Sequence, residues 1–343
     1  MSIINYILEQ PHILQRVIRE IPPQLASIPD LIGSENYFLI GSGTSFNALA
    51  AVEPLWAEMI SPFVKTGHPL SFISSLKVPS LKSTALILSQ TGASKTTIQA
   101  VEHAQRLKMR VITLTADPDS PIAQVSSEKI IIPVGPETVG PKTKGYTASI
   151  LTLLLLILAQ RKKYLDISQF LADLPPFLKE CSNICKSLTS RLASVNFILI
   201  MGQRRHLATA LEGSLKLTEM CGLPVAAFDT EEAFHGRFHG LNPQNYAFFI
   251  TSTAEELELA NTGMSVLSEL GIPGGILNLC PTKTSFFDLP ILWPNSATLP
   301  ELDLISAIIP FQLSAYYLAK AKNIIPENMK YPGLSQKLQI KTR

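Results

Sequence analysis

Two short stretches of this 343-residue chain put hydroxyls and glycines where a strand runs into a helix: Gly41-Ser-Gly-Thr-Ser45 and Ser89-Gln-Thr-Gly-Ala-Ser94. In a parallel sheet such turns lie beyond the carboxyl ends of the strands, where helix N-termini offer free N–H groups and a positive dipole end. Gly92 lets the backbone approach an anion closely, and the hydroxyls of Ser89, Thr91 and Ser94 donate hydrogen bonds without adding charge. That chemistry suits a phosphate monoester, and Thr44 and Ser45 offer a second set of donors. Ser and Thr after a strand also cap the next helix, which for one turn taken alone is the simpler reading; two such turns in one half of the chain shift the balance toward an anion. Neither stretch matches G-x-x-x-x-G-K-S/T or G-x-G-x-x-G, so nucleoside triphosphates and dinucleotides lose support.

These turns need a sheet to hold them. Residues 36–40, 84–89, 110–115 and 129–133 read as short buried strands, Lys95 to Lys108 as a helix, and Gly145 to Arg161 as a Leu/Ala-rich helix. Strands and helices alternating at this spacing predict a parallel sheet with helices on both faces. Before them, residues 1–30 show helical periodicity broken by Pro22 and Pro23; after them, a polar helical connector spans about 163 to 193. Asn196-Phe-Ile-Leu-Ile-Met-Gly202 then mirrors Asn36-Tyr-Phe-Leu-Ile-Gly41 and feeds a second helix, Leu207 to Met220. Further strands are expected at Tyr246–Thr251, Gly275–Leu279 and Leu289–Trp293. The second half reads as a degenerate copy of the first, although one strand similarity can arise by chance.

Single cores stop growing near ~250–300 residues, so this length predicts two domains. At 46% hydrophobic and 16% charged residues the chain is an ordinary globular one, and a net charge of +2 gives no broad basic field for nucleic acid. Cys181, Cys185, Cys221 and Cys280 lack paired C-x-x-C spacing, and the first residues lack the layout of a signal peptide, so a cytoplasmic location is expected. The apolar run around Ile150–Leu158 falls short of the roughly 20 residues that span a bilayer. It reads as a buried helix, and no membrane partner is expected.

In their residues these segments resemble the sugar-isomerase (SIS) domain family, especially the isomerase half of glucosamine-6-phosphate synthase and the fructosamine-6-phosphate deglycases. Gly41–Phe46 looks like the family's first sugar-phosphate loop, and Ser89–Ser94 like its S-Q-S-G-E-T loop. Gly135-Pro-Glu-Thr-Val-Gly-Pro-Lys-Thr-Lys-Gly-Tyr-Thr147 is similar to its G-x-E…T-K-x-F/Y-T segment. Ala210-Leu-Glu-Gly-Ser-Leu-Lys-Leu-Thr-Glu219 is similar to its A-L-E-G-A-L-K-L-K-E helix, and Glu232-Ala-Phe-His-Gly236 to its E-L-K-H-G.

The resemblance implies two tandem SIS domains, each a flavodoxin-like three-layer αβα sandwich around a mainly parallel five-stranded sheet. The expected boundaries are a helical segment at 1–30, SIS domains at 31–165 and 185–325, and a tail at 326–343 that reaches the active site. It further implies that Ser89, Gln90, Thr91 and Ser94 hold a phosphate, with Thr44, Ser45, Lys142 and Thr143 against the sugar. Glu219 would be the base, His235 the acid, often supplied by the neighbouring subunit of a homodimer with shared active sites. Lys337 would be the tail lysine at the sugar, with Lys330 in competition. The expected ligand is a small sugar phosphate, and neither cofactor nor metal is implied.

The chemistry fits these residue types. Shifting a double bond between C1 and C2 of an open sugar needs a carboxylate base, and opening the ring near neutral pH needs a proton donor such as histidine. An isolated glutamate is usually a solvated helix residue, and the spacing of His235 and His239 could also suggest a metal site; the surrounding motifs favour the catalytic reading. Glu212, Lys216, Glu231 and Arg237 stand near these residues with roles left open.

Departures from the family bear on the substrate. The synthase H-G-P becomes His235-Gly236-Arg237, the acidic residue of the phosphate loop becomes Ala93, and the P-R-N-L-A-K tail becomes Pro326-Glu-Asn-Met-Lys-Tyr-Pro-Gly-Leu-Ser-Gln-Lys337. Together with the absence of a glutaminase half from this sequence, they favour a deglycase that splits a 6-phosphofructosyl amine to glucose 6-phosphate and the amine. An aldose–ketose isomerase or amino-sugar-phosphate deaminase is the alternative, and a non-catalytic sugar-phosphate sensor the third.

Overall fold

The computed structural model describes residues 2–28, 30–32, 36–75, 77, 82–282 and 293–342. Two helices open the chain, α1 (Ile3–Leu8) and α2 (Gln10–Leu25), and an alternation follows: β1 (Asn36–Ile40), α3 (Thr44–Met59), β2 (Val64–Gly67), α4 (Pro69–Ser75), β3 (Ser83–Leu88), α5 (Lys95–Arg106), β4 (Arg110–Thr115), α6 (Pro121–Gln124), β5 (Glu128–Ile131) and α7 (Lys144–Gln160). Then α8 (Ser168–Leu192) leads to β6 (Phe197–Gly202), α9 (Arg205–Cys221), β7 (Val225–Phe228), α10 (Thr230–Phe234), β8 (Asn245–Thr251), α11 (Ala254–Glu269), β9 (Gly274–Asn278), α12 (Asp303–Ala321) and α13 (Leu334–Lys337).

The chain forms two compact units. One comprises Glu9–Thr138, Lys144–Asp166 and Tyr331–Arg343, the other Met1–Leu8, Val139–Thr143 and Ile167–Lys330. The first holds a five-stranded sheet in the order β2-β1-β3-β4-β5, every pair parallel. This is the doubly wound order in which β1 and β3 diverge at the topological switch point. β3 is buried along its whole length, as a central strand covered on both faces must be. On one face Ala85 and Ile87 pack with Phe72 of α4 and with Ala100, Val101 and Ala104 of α5. α7 is apolar all round because α2 and α3 pack against it.

The second unit holds four strands among the described residues, in the order β7-β6-β8-β9, again all parallel. That repeats the order of the first four strands of the other sheet. A fifth strand was expected at Leu289–Trp293, a stretch that lies outside the described residues except for Trp293. Phe249 and Ala247 of β8 pack on Leu257, Ala260 and Met264 of α11, while α8 and α9 each pack against α12. α12, extended to Pro300, is long and apolar enough to cross a membrane, but 89% of that stretch is buried inside the protein.

Three details differ from the expectation. α2 continues through Pro22 and Pro23, because Ile21 and Leu25 are buried in its contact with α7 and hold the last turn. The stretch read as a polar, helical connector is the helix α8, whose Leu174, Phe177, Leu178, Cys181, Cys185, Leu188 and Leu192 form a buried apolar stripe. The edge strands β2 and β7 were not anticipated; both are four residues long and only partly buried.

Candidate active site

In the five-stranded unit the two glycine turns follow β1 and β3, neighbouring strands at the switch point. Gly43 ends the first with φ 54° and ψ −130°, a conformation open to glycine but costly for other residues. Gly41 has equal reason to lack a side chain, since a Cβ there would lie 2.9 Å from the Phe46 nitrogen. Thr44 and Ser45 thus form the first turn of α3. In the second turn Gly92 has φ +62°, and a Cβ on it would overlap the side chain of Ser120. Ser89 and Gln90 are buried there, while Thr91 is exposed.

The capping alternative can now be judged. No side chain caps α3 or α5: Gly43 has none, and Ser94, at the N-cap of α5, instead receives a hydrogen bond from Thr97 Oγ1 at 2.9 Å. At α5 the Lys95 N–H donates to the Ile340 carbonyl at 3.1 Å, and Thr342 N–H donates to Ala93 O at 3.0 Å. Residues 340–342 therefore lie antiparallel along the Ser89–Ser94 loop, bridging Ser94 to Lys341. Lys337, in α13, belongs to the same unit and is exposed.

At the equivalent positions of the four-stranded unit, the helix start after β8 is closed by its own side chains, while α9, after β6, has no side-chain cap. After β8, Glu256 Oε2 accepts from Ser252 N at 2.7 Å, Ser252 Oγ at 3.0 Å and Thr253 N at 3.3 Å, while Thr253 caps α11. This is a capping box. After β6, Arg204 adopts φ 50° and ψ −124°, close to the angles of Gly43, and the next residue, Arg205, pairs with Asp303 at 2.6 Å. The buried His206 sits 3.3 Å from the same carboxylate. Burial works against charge on Asp303, yet His206 and Arg205 overcome it and hold the carboxyl below its ordinary value.

Glu219 lies in the last turn of α9, which ends at Gly222 in the left-handed conformation that such ends favour. Glu212, Lys216 and Glu219 follow the i, i+4, i+7 spacing and so share one face. Lys216 is fully buried, 2.7 Å from Glu219 and 3.3 Å from Glu212, itself fully buried. Burial alone would lower the pKa of the Lys216 ammonium, but the two carboxylates prevail and lift it from 10.5 to about 12. This charged row was visible in the sequence only as a spacing.

His235 follows α10, whose start is capped by Asp229. Its side chain is 72% exposed, with Nε2 3.7 Å from Glu231. Glu219 and His235 share the unit, but no hydrogen bond or ion pair joins them among the described residues. Arg237 stacks its guanidinium 4.2 Å over the Phe228 ring and lies 3.5 Å from Glu232. Lys330 runs alongside Gly222, just beyond Glu219, whereas Lys337 belongs to the other unit. Among the described residues no three of His, Cys, Asp or Glu gather as a metal site would require.

The 135–147 segment contributes to both units. Thr143 is fully buried, its carbonyl accepting from Gln312 Nε2 at 3.2 Å, and Lys142 is half-buried. Lys144 is buried and pairs with Glu9. Two residues that the sequence reading left without a role stand out here: Glu137 accepts from Gln90, and Gly145 lies beneath that same amide.

The SIS domain profile matches residues 30–159. Over 309 residues the chain is 26% identical to a glutamine–fructose-6-phosphate aminotransferase (isomerizing) of Caldanaerobacter subterraneus, covering 85% of this chain and 50% of the relative. A namesake from Pyrobaculum aerophilum is 25% identical, covering 92% and 56%. The chain thus spans about half the length of the curated relatives it matches. In fold it is similar to a candidate phosphosugar isomerase of Clostridium difficile 630, with a TM-score of 0.87, 22% identity and 98% of each chain covered. It is also similar to the C-terminal domain of a glucosamine-fructose-6-phosphate aminotransferase from Francisella tularensis, with a TM-score of 0.80, 15% identity and coverage of 95% and 98%. The match to the SIS domain thus spans residues 30–159, set within a longer region similar to part of those aminotransferases.

Proposed function

We propose that this chain is a sugar-phosphate enzyme in which the Ser89–Ser94 loop holds the phosphate and Glu219 moves a proton between C1 and C2 of the opened sugar. The observation that carries it is the contrast between α5, which follows β3, and α11, which follows β8. The helix starts of α3 and α5 have no side-chain cap, while that of α11 is filled by the Glu256 carboxylate. An uncapped pair of helix starts ringed by Ser89, Thr91, Ser94, Thr44 and Ser45 suits an incoming dianion. The repeated strand order supports reading the second unit as a further SIS domain, and the relatives' names refer to fructose 6-phosphate.

In the finer reading the substrate is a 6-phosphofructosyl amine. Glu219 takes a proton from C1, and the C2 carbonyl oxygen takes one from an acid, giving an enaminol; reprotonation at C2 leaves a C1 imine. Water adds to that carbon, the C–N bond breaks, and glucose 6-phosphate and the free amine depart. His235 is the acid in this scheme. Its exposure supports delivery into the site of a second copy, so a homodimer with shared sites is part of the proposal. Lys337 is the tail lysine, because residues 340–342 of its tail lie along the phosphate loop. The replacements Arg237 and Ala93 argue for a substrate other than plain glucosamine 6-phosphate.

An isomerase or deaminase using the same residues is the second reading. It is favoured by the fold likeness to a glucosamine-6-phosphate deaminase of Thermotoga maritima, with a TM-score of 0.78. The deciding assay follows glucose 6-phosphate through a coupled dehydrogenase, from 6-phosphofructosyl amino acids and from fructose 6-phosphate; fructose 6-phosphate released from glucosamine 6-phosphate is followed through the same dehydrogenase with an added phosphohexose isomerase. Release from the glycated amino acids alone supports the deglycase, and turnover of the simple sugars alone supports the second reading. Glu219→Gln should abolish turnover while leaving ligand binding intact; equal turnover in parent and variant would remove Glu219 from the mechanism.

A further inference from the structure

Gln90 sits in the middle of the Ser89–Ser94 loop, yet its side chain is turned into the protein. Its Nε2 donates to Glu137 Oε2 at 3.1 Å, and the same oxygen accepts the Gly145 N–H at 3.3 Å, in the first turn of α7. Gln90 and Glu137 are each only 8% exposed. The amide lies flat over Gly145, and a Cβ there would overlap its nitrogen and its Cδ. Three residues far apart in sequence thus fix one side chain: the loop supplies the amide, a buried carboxylate holds it, and a glycine makes room for it.

The orientation follows from the carboxylate. The Glu137 oxygen also accepts the Gly145 N–H, so the amide turns its N–H, not its oxygen, toward Glu137. Its carbonyl oxygen, which accepts no bond among the described residues, is left as the group available to a ligand. A phosphate dianion offers only acceptors, and a carbonyl oxygen gains nothing from it; a sugar hydroxyl has a proton to give.

We infer that Glu137 and Gly145 form a seat that positions Gln90 to accept a hydrogen bond from a sugar hydroxyl, so that Gln90 reads the sugar while the neighbouring hydroxyls and helix starts hold the phosphate. This rests on the sugar-phosphate reading above and deepens it. Glu137 and Gly145 are positioning residues that act through Gln90.

The test compares two ligands, glucose 6-phosphate and inorganic phosphate, by titration calorimetry of the parent chain and of Glu137→Ala, Glu137→Gln, Gly145→Ala and Gln90→Leu. Loss of one hydrogen bond to a hydroxyl predicts glucose 6-phosphate affinity about 5-fold to 10-fold lower in Glu137→Ala, Gly145→Ala and Gln90→Leu. Inorganic phosphate should bind all variants within about 2-fold of the parent, and Glu137→Gln, which keeps an acceptor oxygen, should recover most of the sugar affinity. Thermal melts identify any variant that fails to fold; Gln90→Leu leaves Glu137 and Gly145 in place and carries the test if the others fail. A parallel fall for both ligands would make Gln90 a phosphate contact and overturn the inference, as would unchanged glucose 6-phosphate binding in all variants. Those two outcomes leave the sugar-phosphate reading standing. A parent chain that binds neither ligand would bring that reading down and the inference with it.

Discussion

Replacing Lys216 by methionine tests the charged row on α9. In the folded chain this ammonium is fully buried between Glu212 and Glu219. Removing one member of a buried pair costs about 3–5 kcal/mol, because the remaining carboxylate keeps its desolvation penalty and loses its nearest countercharge. The titration gives an independent figure. A lysine lifted from 10.5 to about 12 on folding contributes roughly 2 kcal/mol, at ~1.4 kcal/mol for each pH unit. Because the folded value lies above the unfolded one, this contribution is complete below pH 10.5 and is lost as the pH rises through about 12.

Urea unfolding can measure both effects unit by unit, since the two tryptophans divide between the units: Trp56 in the five-stranded one, Trp293 in the four-stranded one. In a Trp56→Phe background the fluorescence of Trp293 reports the unit that holds Lys216. At pH 7 the lysine variant should lose about 2–5 kcal/mol, a midpoint lower by roughly 1–3 M urea for ordinary m-values. The parent should weaken between pH 10.5 and 12, and the variant should lack that decline. Adding Glu212→Gln should restore part of the loss, because the buried carboxylate is then gone as well. A loss below about 1 kcal/mol at pH 7, or the same alkaline decline in parent and variant, refutes the reasoning.

Two further perturbations probe the phosphate loop. Gly92→Ala forces a side chain into a left-handed position and against Ser120; it should cost more than ~1–2 kcal/mol in the unit that Trp56 reports, with Ser120→Gly relieving part of it. Truncation after Gln339 removes the acceptor of the Lys95 N–H and the partner of Ala93. Amide exchange in residues 91–97 should then accelerate by about 10-fold or more, read by mass spectrometry; unchanged exchange would mean that the tail does not hold the loop.

How far the sequence carries the structure depends on how local each cause is. β1, β3, β6 and β8 are central strands, wholly or largely buried, so they appear as runs of apolar residues that need no partner to be recognised. β2 and β7 are edge strands of mixed polarity; pairing with β1 and β6 makes them strands, and that pairing leaves no mark at four residues. α8 hid its stripe among charges and two prolines, because its apolar face has meaning only once α12 is there to cover it. The glycine turns were legible since each carries its own reason, as at Gly92. The Gln90–Glu137–Gly145 seat was not, for its members stand 47 and 8 residues apart and only the fold brings them together. The pairing of residues 340–342 with the phosphate loop spans some 250 positions and has no local signal at all.

That pairing has a consequence for how the chain is made. The ribosome delivers residues 9–166, with every strand of the first sheet, long before it delivers residues 331–342. In the interval the rest of the four-stranded unit, Ile167–Lys330, is synthesised and can begin to fold. The first unit waits through that interval with its sheet formed and the Lys95 amide lacking its later partner, and its completion is the later event although its strands come first. Order of translation and order of completion are reversed, and a nascent chain paused within the second unit carries a phosphate loop not yet buttressed by its own tail.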